Sequence, residues 1–108
     1  MRPSAPGAVD LLDRRVLALP GVRKGRSRFG GRSAYLLEGR EIAHLHGFHE
    51  VDLRLTRELI RERRDALRID PRIGFRSGSS DWLTVRLRAP ADAEFAFELF
   101  EAAWRASQ

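Results

Sequence analysis

The chain has no cysteine, which excludes disulfide bonds, thiolate metal ligands and a cysteine nucleophile. It has no apolar run close to the roughly 20 residues of a membrane-spanning helix, and its first residues lack the apolar segment of a secretory signal. A Gly-x-Ser-x-Gly serine motif, a phosphate-binding glycine-rich loop and a His-Glu-x-x-His zinc motif are all absent from the sequence. We therefore expect a cytoplasmic protein with no membrane partner, whose chemistry is not defined by a standard catalytic motif.

Lysine is almost absent: nineteen of the 20 basic residues are arginine, and the formal net charge at pH 7 is +5. Residues 1–37 carry eight basic and two acidic side chains, whereas residues 38–108 carry twelve basic and thirteen acidic ones. A cluster of basic residues in the first third comprises Lys24, Arg26, Arg28 and Arg32. Such a cluster is typical of a solvated strand edge. The alternative hypothesis is that it forms a surface that binds nucleic acid.

With 108 residues, the chain is expected to form a single domain over 8–108 that follows a flexible tail over 1–7. Apolar residues at helical spacing predict helices over 8–19, 57–67 and 93–106. Thr56 and Asp92 are the predicted N-caps of the second and third helices. Alternation and turn residues predict strands over 22–29, 33–37, 41–46, 51–55 and 81–88. The fold class is therefore α+β, an antiparallel sheet of about five strands backed by helices in the order α-β-β-β-β-α-β-α.

All three histidines lie within one stretch, residues 41–57, which also contains two predicted strands. Successive side chains of a strand point to opposite faces, so His44 and His46 share a face. Asp52 projects in the same alternating way from the next strand, and Trp82 and Arg86 share a face of the last one. The residues that alternate with these polar ones along the strands are apolar, as expected for a face covered by helices. We therefore predict a site on the other face, formed by His44, His46, Asp52, Arg57, Trp82 and Arg86.

The preferred hypothesis is a non-catalytic binding module for a small anionic or aromatic ligand. Arg57 or Arg86 would hold the anion, Trp82 would stack on a ring, and the histidines with Asp52 would make polar contacts. No metal site is predicted, because the histidines lack a full set of further ligands nearby, and no cofactor is predicted. Catalytic residues are left open: a hydrolase or isomerase that uses a histidine–aspartate pair is a further alternative. Purely structural roles, such as an Asp52–Arg57 ion pair or a core position for Trp82, are alternatives for single residues.

Several short motifs, in this order and spacing, resemble a family of small luciferase-like domains found in bacterial and fungal proteins. The motifs are Leu19-Pro20-Gly21-Val22, His44-Leu45-His46-Gly47, Asp52-Leu53-x-Leu55-Thr56-Arg57-x-x-Ile60-Arg61, Ser80-Asp81-Trp82-Leu83-x-Val85 and Asp92-x-x-x-Ala96-x-x-Leu99-Phe100. Two positions depart from the family pattern. Thr56 stands where members have proline, and the loop 77–81 lacks the histidine that many members carry.

What this resemblance implies is a small α+β domain and no particular reaction. Light emission is not expected, because nothing in the sequence offers a flavin site or an oxygen-activating centre. The Leu-Pro-Gly-Val start and the run of strands are also similar to YjbR/MmcQ-like proteins, small α+β domains sometimes proposed to bind DNA. Fold analogy of this kind does not fix function, and the sequence gives no oligomeric state.

Overall fold

A computed structural model of the chain describes residues 7–28, 33–47, 49–76 and 80–108. Within these ranges there are four helices: α1 (Ala8–Leu17), α2 (Arg57–Glu62), α3 (Arg64–Arg68) and α4 (Pro90–Ala106). The strands of the same ranges are β1 (Val22–Arg26), β2 (Ser33–Leu37), β3 (Arg40–His46), β4 (Glu50–Arg54), β5 (Ile73–Phe75) and β6 (Trp82–Arg86). All neighbouring strands pair antiparallel in one sheet of order β1-β2-β3-β4-β6-β5. The predicted α+β class and element order are confirmed, with one strand more than expected.

Helices pack on one face of this sheet, where α1 contacts α4 and β1, and α4 contacts β6. Leu53 of β4 and both Leu83 and Val85 of β6 are buried in the apolar core, together with Leu99 and Phe100 of α4. Because a strand alternates between two faces, the residues between these core positions lie on the opposite face of the sheet. None of the described helices has the length and apolar character that crossing a membrane requires.

Tyr35, the single tyrosine of the chain, identifies the helix-covered face of β2. Its hydroxyl donates a hydrogen bond to Asp13 Oδ1 of α1 at 2.8 Å, and its ring meets Phe100 of α4 edge-on at 6.0 Å. Burial raises the pKa of Tyr35, and the hydrogen bond to Asp13 and the nearby negative charge raise it further. Leu36, the next residue along β2, therefore lies on the face away from α1 and α4.

The additional strand is β5, a three-residue strand at the edge of the sheet that the sequence did not predict. It pairs with β6 through Ile73 opposite Val85 and Phe75 opposite Leu83. Three residues that include a glycine are too few to show an alternating pattern. The predicted helix over 57–67 is also divided into α2 and α3 at Arg63, whose φ of −103° and ψ of 9° depart from helical values.

The start of α4 differs from the prediction. The helix begins at Pro90 with Ala89 in the N-cap position, so Asp92 lies within the first turn. Asp92 Oδ2 accepts hydrogen bonds from the backbone N–H groups of Arg88 at 2.7 Å and Ala89 at 2.9 Å. Proline suits the first helical position because its fixed φ is helical and its missing N–H would have no partner there. The helix therefore starts at Pro90, three residues before the predicted first residue Ala93.

Thr56 is confirmed as the N-cap of α2, since its Oγ1 accepts a hydrogen bond from Leu59 N at 3.4 Å. Its backbone is unusual, with φ at +84°, and its N–H donates to the Asp81 carbonyl oxygen at 2.9 Å. Proline has a φ near −65° and no N–H, so it suits neither feature. The departure from the family pattern at this position therefore agrees with the local backbone. The predicted tail over 1–7 lies outside the described residues, apart from Gly7.

Candidate functional site

A row of polar residues crosses the centre of the sheet on the face away from α1 and α4. His44 of β3 is opposite Asp52 of β4, and Asp52 is opposite Thr84 of β6. The row ends at Gly74 of the edge strand β5, which is also opposite Thr84. Cross-strand partners on one face lie close enough for direct contact, so the antiparallel register alone brings these side chains together.

Asp52 is the centre of this row, with an exposed fraction of only 1%. Its Oδ1 accepts a hydrogen bond from Thr84 Oγ1 at 2.6 Å, and its Oδ2 accepts from Arg76 Nη2 at 2.8 Å. His44 Nε2 lies 2.9 Å from the same Oδ2. Burial alone would raise the pKa of Asp52, but the hydrogen bond from Thr84 and the charges of Arg76 and His44 outweigh it, and the pKa lies below its ordinary value.

Glu41 joins the network because β3 contains a β-bulge. Tyr35 is opposite Ala43, but the next residue, Leu36, is opposite Glu41, so Ile42 is an extra residue in β3. Glu41 therefore shares the face of Leu36 and of His44. Its Oε2 lies 2.8 Å from His44 Nδ1, and the sequence did not predict this contact. Regular alternation places residues 41 and 44 on opposite faces, and no residue type in β3 signals the bulge.

Both oxygens of Glu41 already have partners in the protein. Ser27 Oγ donates to Oε2 at 2.9 Å, and the backbone N–H of Arg28 donates to Oε1 at 3.0 Å. The side chain of Glu41 is 7% exposed and that of His44 is 11% exposed. These contacts fix the orientation of the His44 ring between two carboxylates.

The hydrogen bonds of His44 limit where the protons of the network can lie. An imidazole ring donates from both nitrogens only when it is protonated, and a neutral ring donates from one nitrogen alone. Bonds from His44 to Glu41 and to Asp52 therefore need either a charged ring or a proton on one carboxylate. Because both ring nitrogens are occupied, His44 orients the network and has no nitrogen left to contact a ligand. Its ring lies 5.3 Å from the Trp82 ring, tilted by 39°.

An open cleft of about 330 Å³ lies beside this network. The side chains that line it are those of His44, His46, Asp52, Arg76, Ser80 and Trp82. The side chains of His46 and Arg76 are 59% and 49% exposed, so both are accessible from the cleft. His46 Nδ1 lies 3.4 Å from Asp52 Oδ2. The volume is at the lower end of the range typical of small-molecule sites, and apolar and polar groups meet in it as such sites require.

Four of the predicted site residues line this cleft: His44, His46, Asp52 and Trp82. Arg57 and Arg86 do not line it. Arg57 lies at the start of α2, where its Nε is 3.5 Å from Asp81 Oδ1 and its backbone N–H donates to the same oxygen. Arg86 Nη1 donates to the Pro71 carbonyl oxygen at 2.7 Å, and its side chain lines a separate hollow with His46 and His49.

The arginine of the cleft is Arg76, which the sequence did not single out. It follows the unpredicted strand β5 and comes just before the serine- and glycine-rich sequence 77–80, and nothing in the sequence indicates which way its side chain points. Ser80 also lines the cleft and accepts a hydrogen bond on Oγ from the Trp82 backbone N–H at 3.0 Å. A signal for Arg76 exists only after β5 is paired with β6, because that pairing brings Arg76 beside Trp82.

The structure describes three of the four residues of the predicted basic cluster. Lys24 Nζ pairs with Asp13 Oδ1 of α1 at 2.9 Å, whereas Arg28 uses its backbone to bind Glu41. Arg26 is exposed at the end of β1, and Arg32 lies outside the described residues. Over residues 7–28, 33–47, 49–76 and 80–108, no group of three or more histidine, aspartate or glutamate side chains is arranged to hold a metal ion.

Comparison with known proteins gives one family and no individual relative. The family model named Luciferase domain matches residues 39–103, more than half of the chain, and this region contains all elements from β3 to β6 and most of α4. No curated protein and no solved structure matches the chain. The match includes all six side chains of the cleft. The chain belongs to the Luciferase domain family.

Proposed function

We propose that this domain is a binding module for a small anionic ligand that carries an aromatic ring. One observation supports this above all: a single cleft holds an indole, a half-exposed guanidinium group and an exposed imidazole. Trp82 would contact the ring of the ligand, and Arg76 and His46 would hold its acidic group. Arg76 thus takes the role that the sequence assigned to Arg57 or Arg86.

Within the described part of the chain, Arg76 has free N–H donors and a fixed orientation, both of which favour binding of an anion. A guanidinium group has five N–H donors, and the described contacts use one of its nitrogens, Nη2, for Asp52. That contact holds the side chain in place while half of it remains exposed. A donor that is already oriented loses little conformational entropy on binding, which raises the affinity for a ligand. Asp52 would act as the support for Arg76 and not as a direct contact.

The test is isothermal titration calorimetry of the purified protein with aromatic monocarboxylates, including 2-naphthoate, indole-3-acetate and benzoate. We expect at least one of these probes to bind, and Arg76→Gln to weaken that binding about tenfold or more, since a charge-assisted hydrogen bond is lost. Arg68→Gln is the matched control, because Arg68 is an exposed arginine of α3 and does not line the cleft. Absence of binding to every probe, or equal affinity of the wild type and Arg76→Gln, would rule out this function.

A second candidate is acid–base catalysis by His46, in a hydrolase or an isomerase. His46 Nδ1 faces the Asp52 carboxylate at 3.4 Å, an arrangement in which a carboxylate orients an imidazole and Nε2 exchanges protons with a substrate. The distance is long for a hydrogen bond, as is common in sites without a bound substrate. Chemical conversion of a bound probe, followed by NMR, would favour this candidate if His46→Gln abolished conversion but retained binding. Recovery of the probe unchanged after long incubation would favour binding alone.

A further inference from the structure

A second hollow, of about 370 Å³, adjoins the cleft, and Trp82 lines both. Three arginines contribute to it: Arg28 after β1, Arg40 at the start of β3 and Arg54 at the end of β4. Arg54 is directly opposite Trp82 in the pairing of β4 with β6. A ligand seated against the indole would therefore reach both spaces.

The hollow has an excess of available positive charge. Its two acidic residues are Glu38 and Glu41. Both oxygens of Glu41 already accept hydrogen bonds within the protein, so this carboxylate has little capacity left to pair with the arginines. Arg54 is held weakly by Asp81, with Nη2 at 3.5 Å from Oδ2.

Arg28 and Arg40 are exposed, and neither forms an ion pair within the part of the chain that the structure describes. The other residues of the chain include no aspartate and no glutamate that could pair with them. The hollow therefore holds two guanidinium groups without a carboxylate partner, and a third that is loosely paired. Such a group of arginines favours binding of an anion.

The backbone holds Arg40 in position. It directly follows the two-residue turn of the β2–β3 hairpin, in which Glu38 has a φ of 53° and Gly39 a φ of 78°. Positive φ at both central residues is the feature of a type I′ turn, which matches the twist of the paired strands and fixes their register. Arg40 is opposite Leu37 across this turn, so the start of β3 is tied to the sheet.

We infer that the ligand of the cleft carries a second anionic group, such as a carboxylate or a phosphate, which binds in the hollow lined by Arg28, Arg40 and Arg54. This inference rests on the proposed binding of an aromatic anion beside Trp82. The ligand class is then an elongated aromatic dianion. One acidic group contacts Arg76 and His46, the ring contacts Trp82, and the other acidic group contacts the arginine-lined hollow.

The experiment compares two probes that share one ring system, 2-naphthoate and naphthalene-2,6-dicarboxylate, by isothermal titration calorimetry. For the wild type we expect the dicarboxylate to bind about tenfold more tightly, because only it can reach both sets of arginines. In the double variant Arg28→Gln/Arg40→Gln this advantage disappears, while the affinity for 2-naphthoate stays the same. The control Arg14→Gln/Arg68→Gln removes two exposed arginines of α1 and α3 and keeps the advantage.

Each outcome bears on a different claim. If 2-naphthoate binds but the dicarboxylate gains nothing in the wild type, the second anionic group is refuted and the proposed function stands. The inference is also refuted if the double variant keeps the advantage, or if it weakens both probes equally. If neither probe binds and no other aromatic monocarboxylate does, the proposed function is wrong and the inference is lost with it.

Discussion

Removal of the Asp52 carboxylate tests whether the buried network holds the sheet together. In Asp52→Ala, His44 loses its acceptor on Nε2 and Thr84 loses its acceptor, and the His44 side chain is only 11% exposed. Leaving a buried donor without a partner costs about 1–3 kcal/mol, and the half-exposed Arg76 adds at most about 1 kcal/mol because water can replace its partner. We expect the free energy of unfolding to fall by about 3–5 kcal/mol, the usual loss when one partner of a buried ion pair is removed.

Asp52→Asn separates this reasoning from a simple effect of volume. The amide oxygen can still accept from Thr84, and the amide N–H can donate to His44 Nε2 if that ring is neutral. The expected loss is therefore smaller, about 1–2 kcal/mol. Urea unfolding followed by circular dichroism measures both variants, with Asp65→Ala on the exposed surface of α3 as the control, at about 0.5 kcal/mol or less. A loss below about 1.5 kcal/mol for Asp52→Ala would refute the stabilising role of the network.

Three further predictions concern pH and the backbone. The pKa of Asp52 in the folded protein is lowered, so the stability that its charged form contributes is complete above the ordinary pKa of about 4 and is lost as the pH falls through the folded value. The difference in unfolding free energy between the wild type and Asp52→Asn should therefore shrink in acid. A difference that widens in acid would contradict this. Tyr35 has a raised pKa, so its stabilising effect is full below about pH 10 and declines above it. Absorbance at 295 nm should then show the single tyrosine ionising only together with loss of the far-ultraviolet circular dichroism signal, and ionisation near pH 10 in a folded protein would show the prediction to be wrong. Thr56 has a φ of +84°, which glycine adopts without strain and proline cannot adopt. Thr56→Gly should therefore keep or raise the thermal midpoint of unfolding, whereas Thr56→Pro should lower the free energy of unfolding by about 3 kcal/mol or more. Equal thermal midpoints for the two variants would refute the argument.

Alternation along the strands was sufficient to predict much of the fold and four of the six side chains that line the cleft. His44, His46 and Asp52 are placed by a two-residue repeat that the sequence displays, and Trp82 belongs to a strand whose other face is uniformly apolar. These residues meet because neighbouring strands are antiparallel and in register. Their convergence in one cleft therefore follows from local pattern combined with simple pairing.

The rest of the site depends on features that a local pattern does not contain. Arg76 requires β5, a three-residue strand whose existence depends on its pairing with β6. Glu41 requires a bulge in β3. Arg57 and Arg86, the predicted anion-binding arginines, instead contact Asp81 and the Pro71 carbonyl oxygen. Tertiary partners, and not residue type, decide which of many arginines lines the cleft.

The extra residue in β3 has a consequence for how such chains are compared. The contact between Glu41 and His44 depends on Ile42, the extra residue of the bulge, because residues three positions apart in a regular strand lie on opposite faces. A glutamate three positions before the histidine would therefore meet it in a relative that has the bulge and point toward the helices in one that lacks it. Deletion of residue 42 would instead leave the glutamate two positions before the histidine, on the same face of a regular strand. Aligned letters at these two columns thus do not guarantee the same contact in space.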